Sequence, residues 1–441
     1  VANPRLDNTP DNGDHESSSA PDNATPAGPG KDDWRSSYRD VMAIGEFRAV
    51  WLAHALSMIG SNLLNIATSI LVFQVTGSAL AAGVTLALTF LPPIISPLIA
   101  GLADLFPRRR VMVVCDLARA AVIVLIGIPG MPIWAIWLLL FCSVLPSIPF
   151  AAARAAMLAE IIQGERYVAS TAIIQLTSQI GMLAGLVAGG VIVAHVGPNI
   201  TVMSTGILFV LSATVVLIGV KARPAPRGEK EERPGFAAMT RDGAKLVFGD
   251  PRLRTLALLA WLAGLYMIPY GLANPMAAEI GAGAAAAGFI MAGSSIGAFL
   301  GGFVLTRLVP PPTRMRLLGP LAVLTSVPLL LWLFDPPLWL MVTALALCGV
   351  AGSYQFVANA AFVLCVPKEG RGLAFGLVAS GLQAAQGVGI LIAGFFAEFF
   401  GTGVVIVSAG VLGVGFAVLL AIPWSRLSGE TIARMDATER P

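Results

Sequence analysis

Between Phe47 and Trp424 the chain alternates long apolar runs with short polar connections, and twelve runs can be counted. They cover approximately 49–73, 80–103, 111–128, 133–158, 168–194, 200–220, 254–278, 284–308, 316–334, 338–364, 372–398 and 403–424. Each is near the ~20 residues that a helix needs to cross a hydrocarbon core about 30 Å thick. The runs are continuous and lack the period-two alternation of barrel strands, so they predict helices. The pattern therefore predicts an all-α polytopic membrane protein with twelve transmembrane helices, numbered below as spans one to twelve.

The longest internal break, 221–253, parts the spans six and six, which predicts two six-helix bundles. The expected division is a disordered cytosolic tail (1–45), an N-terminal bundle (46–220), a cytosolic central loop (221–253), a C-terminal bundle (254–424) and a second cytosolic tail (425–441). Residues 1–35 are rich in Asp, Asn, Pro, Ser and Gly and have little to bury. The stretches 36–48 and 235–248 read as interfacial or surface helices. The halves repeat faintly: at an offset of 204 residues, Glu165, Gln179, Gly185, Gly190 and Gly197 match Glu369, Gln383, Gly389, Gly394 and Gly401. Repeated halves are expected of alternating-access transporters, which hold substrate between them at mid-membrane.

Charge orients this frame. The connections at 74–79, 128–132, 195–199, 279–283, 335–337 and 399–402 contain no Lys or Arg. Basic residues gather in the tails and the other five connections, and Arg119 and Arg154 lie inside runs. Cytoplasmic loops carry the excess of Lys and Arg, so both termini are expected in the cytosol of a cell membrane. Hydrophobic residues make up 56% of the chain and charged residues 12%, against about 25% charged in an average soluble domain. The net charge of +3 fits positive-inside topology and contact with anionic lipid rather than nucleic-acid binding. Cys115, Cys142, Cys348 and Cys365 all fall in apolar runs and form no metal-ligand pattern. The first 45 residues lack the apolar core of a cleavable leader.

The connection after span two reads Gly101-Leu-Ala-Asp104-Leu-Phe-Pro-Arg108-Arg109-Arg110. It resembles the signature of the major facilitator superfamily, a Gly, an Asp three residues on, then a basic cluster. Leu105 stands where that family usually has Arg, and Pro107 where it usually has Gly. The stretch from Thr76-Gly77-Ser78 through Pro92-Pro93 to Asp116-Leu-Ala-Arg119 looks like the bacterial drug and siderophore exporters of that superfamily. The resemblance spans 47–424. It implies a monomeric secondary transporter whose cavity is lined by spans 1, 4, 7, 10 and 2, 5, 8, 11. It also makes Asp104 a cytoplasmic latch. A carboxylate gains roughly 0.3–1 kcal/mol at a helix N-terminus, and the start of span eleven near Arg371–Ala374 is the expected partner.

Candidate gate residues are Gly101, Asp104, Arg108, Arg109, Arg110, Asp116, Arg119 and Arg154. Counted from the start of span three, Asp116 lies about 9 Å and Arg119 about 13 Å deep, on one helix face. A charge at the membrane centre costs on the order of 3 kcal/mol, so these groups should pair or reach water. Arg108, Arg109 and Arg110 serve equally well as topology anchors. In span five, Gly181, Gly185, Gly189 and Gly190 form a close-packing stripe, for which glycine-rich span eight is the expected partner. It resembles the antiporter motif of exporters, with Leu186 where Pro is usual.

Polar residues at membrane depth are candidates for the substrate cavity: Asn62, Asn65, Gln175, Gln179, Tyr266, Tyr270, Asn274, Tyr354, Gln355, Asn359, Gln383 and Gln386. Neutral amides and aromatics suit an apolar or weakly cationic substrate. Singly, each fits an interhelical hydrogen bond worth about 0.6 kcal/mol better than a cavity role; as a set they favour a cavity. No Asp or Glu falls in the middle third of a span, so proton coupling would fall to Asp116 or Asp104, then Glu398.

Enzyme chemistry is not expected. Gly293-Ser-Ser295-Ile-Gly297 matches the serine-hydrolase pattern but sits inside span eight, with no His placed to activate Ser295. Gly30-Lys31 is followed by Asp32, so there is no phosphate-binding loop, no cofactor is implied, and a gradient must supply the energy. The expected activity is export of a small amphiphilic compound in exchange for protons. A siderophore or metabolite exporter, and a receptor or assembly partner that has lost transport, remain open.

Overall fold

The computed structural model describes residues 39–95, 106–162, 165–223, 236–367 and 370–439. Those residues are almost entirely helical, with no strand among them. Nine helices among them are long and apolar enough to cross a membrane. One of the nine, 372–427, is bent back at Gly401 (φ 79°, ψ 163°), which separates spans eleven and twelve. Two shorter helices, Ala79–Phe90 and Arg108–Ile126, occupy the places of spans two and three.

Local chemistry sets the ends. Span one, Gly45–Thr76, stops at Gly77, whose φ of 64° suits glycine. Ser78 then caps span two, accepting a hydrogen bond from the Ala81 amide at 3.0 Å. Span two ends at Phe90 and passes into a 3₁₀ turn at Pro92–Ile95, because paired prolines withhold the amides that a helix needs. The remainder of the expected span, 96–103, lies outside the described residues, as does tail 1–38. Span four breaks between Val144 and Ser147 at Pro146. Span seven divides into Pro251–Trp261, Ala263–Tyr266, Ile268–Gly271 and Ala273–Glu279, with Pro269 and Pro275 inside it. Span nine, from Pro311, ends in a 3₁₀ stretch, Val327–Phe334, that carries Pro328. Span ten breaks at Ser353, between Leu338–Gly352 and Tyr354–Cys365. The surface helix expected at 235–248 is Phe236–Gly249. Span twelve runs on as helix to Glu439, through the stretch read as a tail.

The repeat at an offset of 204 has a structural counterpart. Gly197 (φ 83°, ψ 161°) turns span five, Glu165–Val196, into span six, Pro198–Gly219, and Gly401 makes the same turn between spans eleven and twelve. Gly185 packs against span one, where a Cβ would meet Ile59 O at 2.9 Å; its mate Gly389 packs on the carbonyl of Gly264 in span seven. The exterior is apolar and exposed, as at Trp134, Phe395, Phe399 and Phe400, which matches a surface solvated by lipid tails.

Candidate substrate cavity and its charged wall

A cavity of about 470 Å³ lies between the two halves of the chain. Span one supplies the largest share of its wall: His54, Ser57, Met58, Ser61, Asn62 and Asn65. These recur every three or four residues, so a helix turns them to one side. Spans two to five add Thr89, Phe90, Arg119, Arg154 and Met182, and the second half adds Met267, Tyr270, Gln383 and Gln386. A second space of about 190 Å³ shares Met182, Met267 and Gln386 with the first and is lined by Gln179, Tyr266, Ser294, Ser295 and Gln355. Both are dominated by apolar and neutral polar groups, as small-molecule sites are.

Of the polar residues expected here, Asn62, Asn65, Tyr270, Gln383 and Gln386 line the larger space and Gln179, Tyr266 and Gln355 the smaller. Asn62 donates to Met58 O at 2.8 Å, and Gln355 donates to Tyr266 Oη at 2.8 Å and Ala260 O at 3.0 Å. Four residues differ from expectation. Asn274 is buried and donates to Ser69 Oγ at 2.6 Å, joining spans seven and one. Tyr354 is buried with its hydroxyl donated to Leu259 O at 2.5 Å, a core bond within the second half. Gln175 and Asn359 are exposed and line neither space.

The charged residues of span three part company. Asp116 is fully buried, and its Oδ2 accepts from Ser212 Oγ of span six at 2.5 Å. Arg119 is 4% exposed and meets the same two spans, one and six, about a turn further along. It donates to Ser57 Oγ at 3.0 Å and Ser61 Oγ at 2.7 Å, and its guanidinium lies 4.0 Å from the centre of the Phe209 ring. Such stacking fixes the guanidinium plane. The two residues share a helix face in sequence, yet among the described residues they form no ion pair with each other. Arg154 reaches the same cavity wall from span four. Sequence reasoning placed Arg119 and Arg154 at the cytoplasmic gate. His54 is buried on the cavity wall, 2.8 Å from Ser178 Oγ of span five. The polar stripe His54, Ser57, Ser61, Asn62, Asn65 was the signal that marks this face.

The other basic residues stay at the bundle end. Arg108 pairs with Glu160 and donates to Ala156 O at 3.2 Å. Arg109 donates to the Leu217 carbonyl, and with Arg110 and Arg223 it lines a surface groove. Gly101 and Asp104 lie outside the described residues.

At the opposite end the halves meet through small residues. A Cβ on Gly190 of span five would lie 3.0 Å from Gly288 Cα of span eight. One on Gly394 of span eleven would lie 3.2 Å from Ala79 O of span two. Glu398 accepts from Ser78 Oγ beside the second seam. The glycine stripe of span five is thus split. Gly181, Gly185 and Gly189 face Met58, Asn62 and Ile66 of span one, and only Gly190 faces span eight. Residues four apart share a face, whereas neighbours stand about 100° around the helix, so one stripe serves two partners. The cavity is closed at this end and lined by arginines toward the other.

The major facilitator superfamily model matches residues 50–309 and 262–431, and the chain belongs to that superfamily. It is similar to the multidrug efflux pump Tap of Mycolicibacterium fortuitum, with 26% identity over 78% of this chain and 87% of that one. It is similar to the enterobactin exporter EntS of Escherichia coli O1:K1, with 26% identity over 69% of this chain and 73% of that one. The fold matches the crystal structure of the nucleoside transporter NupG with a TM-score of 0.64 at 15% identity, over 86% of this chain and 97% of that one. The chain is a multi-pass membrane transporter.

Proposed function

We propose that this transporter exports a small amphiphilic compound across the cell membrane, in exchange for protons, by alternating access. The observation that carries the reading is the central cavity, closed at one end by the glycine seams of spans two with eleven and five with eight. The closed end bears the connections free of Lys and Arg, so by the charge rule it faces outward and the cavity serves the cytosol. Two six-helix halves, 46–220 and 254–424, rock about the cavity, with both termini cytosolic and the chain acting as a monomer. The similarity to Tap supports export of drug-like compounds. The similarity to EntS favours a second reading, a siderophore or metabolite exporter on the same scaffold.

Asp116 is the proposed proton carrier. It is wholly buried, one oxygen is engaged by Ser212, and the other has no partner. Asp104 and the Arg108–Arg110 cluster form the proposed inner latch, so Asp104→Asn lowers flux without preventing insertion. The decisive experiment uses inverted vesicles energised acid-inside, a fluorescent pH-gradient probe and a panel of amphiphilic drugs. Drug-dependent collapse of the gradient, absent without the protein, supports coupled export. No response across the panel removes the drug-efflux reading and leaves the narrower exporter ahead.

A further inference from the structure

The cavity wall carries positive charge without a matching negative one. Arg119 is almost wholly buried, and its two hydrogen-bonded partners, Ser57 and Ser61, are neutral hydroxyls. Its Nε has no partner, and neither has the Nε of Arg154 on the same wall. No carboxylate lines either space among the described residues. Asp116 sits behind the wall, bonded through one oxygen to Ser212, and Glu160 pairs with Arg108; Glu279 and Glu398 lie at the closed end, bonded to Thr402 and Ser78. A guanidinium at membrane depth is costly, and such groups face the bundle interior or a cavity where they meet a partner. Here the side chain is held in place by a ring face and two serines, and the one acid that acts on it, Asp116 a turn away on the same helix, makes no ion pair with it among the described residues.

We infer that the cavity takes an amphiphilic organic acid, its carboxylate bound by Arg119 and Arg154. The inference rests on the reading of this cavity as the substrate site. The planar fork of a guanidinium matches a carboxylate in two parallel hydrogen bonds, and such charge-assisted bonds are roughly twice as strong as neutral ones. Across the cavity, Phe90, Met182, Met267 and Tyr270 offer an apolar and adaptable bed for the body of the molecule. Asn62, Asn65, Gln383 and Gln386 offer neutral contacts between the two regions. An organic cation would meet two arginines and no acid on this wall. The neutral-amide pattern alone suggested an apolar or weakly cationic guest; the two arginines reverse that sign.

The test is equilibrium binding to the full-length protein in nanodiscs, which needs neither gradient nor transport. Three fluorescent probes of similar body serve: dansyl-phenylalanine (acid), its primary amide (neutral) and dansylcadaverine (cation). The acid is expected to bind at least about tenfold more tightly than either other probe. Arg119→Gln and Arg154→Gln each weaken the acid by roughly thirtyfold or more, and leave the amide within about threefold. Retained amide binding certifies that each variant is folded; if Arg119→Gln loses both, Arg119→Lys and Arg154→Gln decide. Equal affinity for acid and amide, preference for the cation, no binding of the acid, or unchanged acid affinity in the variants overturns the inference. Export would fail separately, in energised vesicles, with the charge preference in nanodiscs intact.

Discussion

Gly288→Leu tests whether the closed end is a state rather than a fixture. Gly288 sits where spans five, eight and one converge. A Cβ there would lie 2.9 Å from Leu186 O, 3.1 Å from Gly190 Cα and 3.3 Å from Ile66 Cδ1. Two of these are backbone atoms that cannot rotate aside, so a larger side chain must push the helices apart. Overpacking of this kind costs typically 1–3 kcal/mol, here only in the closed state. The ratio of closed to open protein should fall by about 5- to 150-fold. The assay is labelling of a reporter cysteine by a membrane-impermeant maleimide added from outside. The background replaces the free cysteines Cys115, Cys142, Cys348 and Cys365. The reporter is Ser69→Cys, at a position fully buried in the closed end against Asn274. Labelling should accelerate by the same factor. Gly376→Leu is the control, since a Cβ there meets nothing within 4 Å. Unchanged labelling in a folded Gly288→Leu protein would refute the claim that this glycine contact holds the closed end shut.

Three further outcomes are expected. Asp116→Asn should abolish substrate-driven proton movement in inverted vesicles while substrate binding persists; coupled flux in that variant would remove Asp116 as the carrier. Gly297→Ala places a methyl into the Ala346 carbonyl of span ten. A loss of roughly 1–3 kcal/mol follows, read as a lower melting temperature in detergent, and an unaltered melting curve would contradict the packing. Arg108→Gln removes an ion pair with Glu160 whose side chains are 17% and 37% exposed. It should change stability by less than about 1 kcal/mol; a larger loss would show that the pair has a buried role.

The helical frame was legible because lipid demands long apolar runs, and the interruptions were written in prolines: Pro92-Pro93, Pro146, Pro269, Pro275 and Pro328 mark breaks or 3₁₀ turns. The rotation of each helix about its axis was harder to read. Helices apolar all round carry little moment, so nothing in the local pattern turns Gln175 and Asn359 outward while Gln179 and Gln355 face a cavity. Depth was misjudged for a simple reason. Span three begins at Arg108, not 111, so Arg119 stands three residues, about 4.5 Å, further along the helix than expected. Span one's Ser57 and Ser61, opposite Arg119, hold it on the cavity wall. The glycine stripe was found, but its partner was not, because a single sequence does not say which neighbour a small face meets.

The two seams at the closed end of the cavity bring together Gly83 with Gly394 and Gly190 with Gly288. Glycine has no rotamers to freeze, so bringing these faces together costs no side-chain entropy. The contact therefore behaves as two smooth surfaces rather than interlocked teeth, and the time needed to close it is set by the movement of whole helices, not by the settling of side chains between them.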